Sequence, residues 1–207
     1  MIGWEHLSRA LRIHERVHVA GGGRRAAVAL VLRDGASSGP ELLFIRRAEH
    51  EKDPWSGHMG FPGGRAEPAD LDLEATAVRE TREETGLDLS GDGELLGELD
   101  DVKALARGRP VDLVIAPFAF RLHHRQDGAP SHEVVSLHWL PLERLRAPEA
   151  HSTLQYQYED NVLELPCLRI EGLVIWGLTY RMFENLSSVV GEFEARRAHA
   201  RGDEDGK

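Results

Sequence analysis

Three carboxylates stand at helical spacing near the middle of this 207-residue chain. They are Glu80, Glu83 and Glu84, within Arg79-Glu80-Thr81-Arg82-Glu83-Glu84-Thr85-Gly86. Spacings of i, i+3 and i+4 put all three on one face of a helix. Like charges so placed repel, so the pattern asks for solvent or a counter-charge. A solvated acidic face is the plain reading. A divalent cation is the other, because hard Mg2+ or Mn2+ takes carboxylate oxygen, often from one or two protein groups plus substrate phosphates. The surroundings favour the cation. Gly63-Gly64 precede the helix, where backbone can come close to a ligand and a carbonyl is left free. Arg79 and Arg82 lie among the acids, and Arg79 can pair with Asp70 or Glu67, leaving the other carboxylates available.

The elements that must hold these groups are legible from hydrophobic periodicity. Residues 71–85 read as the central helix, with Gly86 as its stop. The loop from Asp53 to Gly64, rich in Gly and Pro, leads into it. Upstream, 26–33 and 42–46 read as a strand and its hairpin partner, and residues 3–16 as a short helix. Downstream, 95–99, 113–120 and 134–140 read as strands and 141–145 as a short helix. Two further strands lie within 160–178 about the turn at Glu171-Gly172, and 178–197 is a helix. This order predicts an α/β fold, a mixed β-sheet between helices. The expected organisation is an N-terminal helix and Gly-rich linker over 1–24, a main domain over 25–200, and a disordered acidic tail over 201–207.

Composition narrows the function. A formal charge of −10, from 35 acidic and 25 basic residues, argues against nucleic-acid binding or an anionic membrane surface. No apolar run reaches the length of a membrane span, and no secretory signal is visible. The single cysteine, Cys167, excludes an internal disulfide and fits a reducing, cytoplasmic setting. It reads as a structural thiol, since no basic neighbour or helix start surrounds it. His123 and His124 are adjacent and do not share a strand face. The Ser56-Gly57-His58 triplet lacks a nucleophile-elbow context.

The segment from Gly64 to Leu87 resembles the Nudix box, G-x5-E-x7-R-E-U-x-E-E-x-G-U, where U is a bulky aliphatic residue. Gly64, Arg79, Glu80, Glu83, Glu84, Gly86 and Leu87 match. Three positions depart from it. Asp70 stands for the expected glutamate, eight residues rather than seven separate it from Arg79, and Thr81 fills an aliphatic position. Just upstream, Leu42, Leu43, Arg46, Gly57 and Phe61-Pro62-Gly63-Gly64 are similar to the element that precedes the box in coenzyme A pyrophosphatases, L-L-T-x-R-S-x3-R-x3-G-x3-F-P-G-G. Arg47 replaces its serine, and Asp53, beside Lys52 and counted back from Gly57, replaces its second arginine.

The resemblance implies a Nudix α/β/α sandwich that hydrolyses a diphosphate bond with Mg2+ or Mn2+. The substrate it implies is coenzyme A or its derivatives, cut to 3′,5′-ADP and a phosphopantetheine product. ADP-ribose, NADH and other nucleoside diphosphate derivatives are the alternatives, and a catalytically silent nucleotide-binding domain is a further one. Glu80, Glu84, Glu83 and the Gly64 carbonyl are the candidate metal ligands. Glu83, Glu133 and Arg79 are the candidate catalytic residues, with Glu133, then Glu83, as the general base. Arg46, Arg47, Gly57, His58, Gly63 and Gly64 are the candidate substrate-binding residues. Trp55 reads equally as a base-stacking ring or a loop cover. The expected partner is a small nucleotide, with a homodimer allowed and no nucleic acid or membrane.

Overall fold

A computed structural model describes residues 3–20, 23–35, 39–50, 55–106, 109–158 and 161–204. Lys52 and Asp53 lie outside the described residues, as does the end of the tail, 205–207. The chain opens with helix α1 (Trp4–Ile13), then strands β1 (Arg25–Asp34), β2 (Pro40–Arg47), β3 (Met59–Gly60) and β4 (Gly63–Arg65). The acid-bearing helix α2 (Leu73–Thr85) follows, then a short α3 (Leu89–Asp92) and strands β5 (Gly93–Glu98), β6 (Val102–Ala106) and β7 (Arg109–Leu122). After β8 (Val134–Pro141) and α4 (Leu142–Arg146) come β9 (His151–Tyr158), β10 (Asn161–Ile170) and β11 (Leu173–Trp176). The long helix α5 (Gly177–Glu204) closes the chain.

Eight strands make one mixed sheet. β1 runs parallel to β7, and β2 antiparallel to β1, β3 and β8. A second, antiparallel sheet has the order β11-β10-β9. The eight strands bury side chains on both faces, as the unbroken apolar run of β1 requires. Val28, Leu30 and Leu32 face one core with Leu7 and Leu11 of α1 and Phe183 and Leu186 of α5. Ala27, Ala29 and Val31 face the other with Ala77 of α2 and Leu87. The strand period of two thus serves two helical layers, and the architecture is the expected α/β/α sandwich.

Local signals set the limits of α2. Asp72 caps its start by accepting from the Ala75 amide at 2.7 Å, and Gly86 ends it at φ 70°, a conformation glycine adopts without cost. The sequence reading had no counterpart for β3, β4, α3 and β6, and three further features differ from it. β9 (His151–Tyr158) is a strand although it holds one aliphatic residue, because β10 supplies an eight-pair antiparallel register. The N-terminal helix, set apart from the main domain by the glycine run, shares the core of the sheet through Leu7, Ala10 and Leu11. The C-terminal helix continues to Glu204, past the position where disorder is expected to begin.

Candidate active site

The helix that carries the acids lies against β4 and β1, and the loop between β4 and α2 is tied by one arginine. Arg79 donates through Nε to Asp70 Oδ1 at 2.9 Å and through Nη2 to Asp70 Oδ2 at 3.0 Å. It also donates to the Arg65 carbonyl at 3.1 Å and to Glu80 Oε1 at 2.9 Å. Of the two acids open to it, Asp70 is the partner. The shorter side chain and the extra residue are accommodated because the loop turns on itself. Asp70 accepts from the Glu67 amide at 2.9 Å and the Thr76 hydroxyl at 2.8 Å while its own amide donates to the Glu67 carbonyl. These donors, Arg79 foremost, hold the Asp70 carboxyl well below the usual range, and Asp70 in turn raises the Arg79 guanidinium. The Arg79 donors are thus committed to the loop and to the acids beside it.

Thr81, at the position where an aliphatic residue is expected, is fully buried beneath the helix. Its hydroxyl donates to the Ala77 carbonyl at 2.7 Å, which satisfies the one polar atom such a substitution adds.

The three helix acids differ in exposure. Glu84 is almost wholly buried and accepts from the Gly63 amide at 2.9 Å, with the Arg47 guanidinium 3.7 Å from its other oxygen. Burial lifts its pKa to about 7, against the pull of Gly63 and Arg47 and with a push from Glu80 and Glu133. Glu80 is raised too, chiefly by burial, with Arg79 opposing and Glu83 and Glu133 adding. Glu83 is mostly exposed, 3.3 Å from Arg79.

Both glycines before the helix are required by close approach. A Cβ on Gly64 would lie 2.4 Å from Glu80 Oε1, and one on Gly63 would lie 2.3 Å from the Ala27 carbonyl. The Gly64 position is a cradle that any side chain would fill. It is lined by carboxylate oxygen, the donor type that Mg2+ and Mn2+ prefer, so these residues suit such a cation. Among the described residues no three acidic, histidine or cysteine side chains stand converged for coordination. Glu80 is turned to Arg79 and Glu84 to Gly63.

Glu133 reaches this group from outside the box. The segment before β8 crosses the end of α2, where the Ala129 amide donates to the Thr85 carbonyl at 2.8 Å and the Ser131 amide to the Glu84 carbonyl at 3.0 Å. These bonds satisfy two carbonyls of the last turn and bring Glu133 into electrostatic contact with Glu80 and Glu84. The Ala48 amide donates to the Glu133 carbonyl at 2.8 Å, joining β2 to the same point. Gly128 makes the crossing possible at φ 74°, where a Cβ would lie 2.8 Å from the Thr85 carbonyl. The sequence reading missed this brace, although the turn pair Asp127-Gly128 is a usable signal for it.

The upstream residues divide between the two faces of the sheet. Arg46 is exposed and lies near His138, on the side of Leu42 and Phe44, away from α2. Arg47 lies on the acid side. Gly57 makes a turn at φ 71° beside Glu49. His58 packs on Trp176 with centroids 4.8 Å apart, and Trp176 on Tyr156 at 5.1 Å. The Trp55 indole donates to the Leu105 carbonyl at 3.2 Å. Thus Glu80, Glu83, Glu84, Gly63, Gly64, Arg79, Arg47 and Glu133 come together, and Arg46 stands apart from them.

The NUDIX domain profile matches residues 23–160. An uncharacterized Nudix hydrolase NudL of Yersinia pestis is 29% identical over 168 residues, 81% of this chain and 80% of that protein. An uncharacterized Schizosaccharomyces pombe protein is 35% identical over 122 residues, 58% of this chain, and the match spans only 37% of that protein's length. Among solved structures, a MutT/nudix family protein from Enterococcus faecalis shares the fold, with a TM-score of 0.51 and 20% identity over 87% of this chain and 62% of that one. With the profile covering most of the chain and the acid helix, its loop and the two-faced sheet all in place, this protein belongs to the Nudix hydrolase family.

Proposed function

We propose that the chain hydrolyses the diphosphate bond of coenzyme A or its acyl and oxidised forms, releasing 3′,5′-ADP and the matching phosphopantetheine. The observation that carries the hydrolytic part is the electrostatic contact among Glu80, Glu84 and Glu133, with Glu80 set directly against the side-chain-free Gly64. The coenzyme A part rests on the upstream element, whose residues form β2, β3 and β4 and lead directly into that cradle.

Glu80, Glu84, Glu83 and the Gly64 carbonyl would hold Mg2+ or Mn2+, which when bound neutralises phosphate oxygens and lowers the pKa of water. Glu133, exposed and 3.7 Å from His132 Nε2, accepts the proton of the attacking water. Its loop is braced on α2, so the carboxylate stays in register with the acids of the helix. Arg79 acts through Asp70 and Glu80, holding the loop and aiming one carboxylate. Gly63 keeps β4 tight against β1, so that Gly64 presents backbone alone.

The test is incubation with Mg2+, and separately Mn2+, and with coenzyme A, ADP-ribose, NADH or GTP, the products being identified by mass. Release of 3′,5′-ADP from coenzyme A at the highest kcat/KM is expected. Faster AMP release from ADP-ribose or NADH would keep the site and replace the substrate. Inertness toward all four with either metal would favour a nucleotide-binding domain.

A further inference from the structure

Two adjacent arginines end β2, and the strand sends them to opposite faces of the sheet. Leu42 and Phe44 face the core under α1 and α5, and Arg46 continues that row beside His138. Leu43 faces the core under α2, and Arg47 continues the other row. The pairing with β8 shifts register between Arg46 and Arg47. Arg47 passes over Gly60, where a Cβ would lie 3.8 Å from its Cδ and 3.9 Å from Ile45 Cγ1. Its guanidinium ends 3.7 Å from the buried Glu84 carboxylate and is one-third exposed.

We propose that Arg47 is the exchangeable counter-charge of this site: in the metal-free protein it holds Glu84, and when that carboxylate passes to a divalent cation it turns to the substrate's phosphates. The second half rests on the diphosphate-hydrolase reading, and the first does not. A guanidinium and a divalent cation on one buried carboxylate repel each other, so binding of one displaces the other. The displaced group remains tethered by its stem above Gly60, beside the Glu84 carboxylate that also accepts from the Gly63 amide. Its planar fork of donors suits phosphate oxygen. The coenzyme A-type element carries serine here, so the device belongs to this chain rather than to the motif.

Mn2+ binding to the metal-free protein, followed by EPR at pH 8, reads the exchange without substrate. Arg47→Gln is expected to bind Mn2+ about tenfold more tightly than wild type. Arg47→Lys should stay near wild type, and Arg46→Gln should not change the affinity. Unchanged or weaker binding by Arg47→Gln, or an equal gain in Arg46→Gln, would overturn the exchange. With the best-hydrolysed substrate, Arg47→Gln should raise KM about tenfold with a smaller change in kcat, and Arg47→Lys should recover part of it. An unchanged KM would overturn the phosphate half. If wild type hydrolyses no diphosphate compound, the function reading fails and the Mn2+ titration still decides the exchange. Arg47→Met, which keeps the stem without the charge, replaces Arg47→Gln if that variant does not fold.

Discussion

With its side chain 4% exposed, Glu84 gives up nearly all its hydration, and the Gly63 amide and Arg47 return only part of it. Its folded pKa, about 7, lies above the ordinary 4.5, so between these values the folded state holds a proton that the unfolded state has lost. The stabilisation from that proton is fully present below about pH 4.5 and is lost as pH rises through 7. Chelator-treated protein should therefore lose stability from this group between pH 5 and 7.5. Glu84→Gln should flatten that loss and raise stability at pH 8 by about 1–3 kcal/mol, while hydrolysis falls at least a hundredfold. Denaturant melts of both proteins across this pH range check it. Equal slopes would mean that Glu84 is hydrated after all. The helix spacing of Glu80, Glu83 and Glu84 was legible in the sequence, but their inequality was not. Three identical carboxylates on one helix acquire different acidities only from what packs over each of them.

A helix needs its last carbonyls satisfied, and in α2 the loop that does so also carries Glu133. Gly128 is the hinge of this arrangement, at φ 74° with the Thr85 carbonyl beneath it. Gly128→Ala should cost about 1–3 kcal/mol and lower kcat more than it raises KM, because Glu133 moves while the substrate-side glycines do not. Chemical denaturation and steady-state kinetics on the same variant separate the two effects, and an intact kcat would remove Glu133 from the proton step. At this scale the sequence was informative where a signal was local. Gly86 marked the end of α2, and the apolar run of β1 marked a buried strand. It was silent where partners decided. β9 is a strand because β10 lies beside it, and Arg46 and Arg47 face opposite sides because strand alternation and a register shift set their directions.

Across the whole molecule, the two cores make the sheet a rigid wall between layers that are distant in sequence. Thr179 of α5 donates to the Met59 carbonyl at 2.9 Å, across 120 residues, and α1 packs beside α5 on the same face. The NUDIX profile begins at residue 23, yet Leu7 and Leu11 are fully buried. A chain starting at residue 23 should lose several kcal/mol, since each buried leucine cut to alanine costs about 3–5 kcal/mol, and its Tm should fall by ten degrees or more. A calorimetric Tm within a few degrees of the full chain would show that α1 is dispensable. The membership, the acid helix, its Gly86 stop and the glycines before it were determined by the sequence alone, because each depends on neighbours within a few residues. Only the tertiary structure decided which arginine meets the acids, which carboxylate is buried and how Glu133 is held. Those outcomes depend on the crossing of β2, β8 and α2, whose residues are far apart in the chain and whose contacts no local pattern encodes.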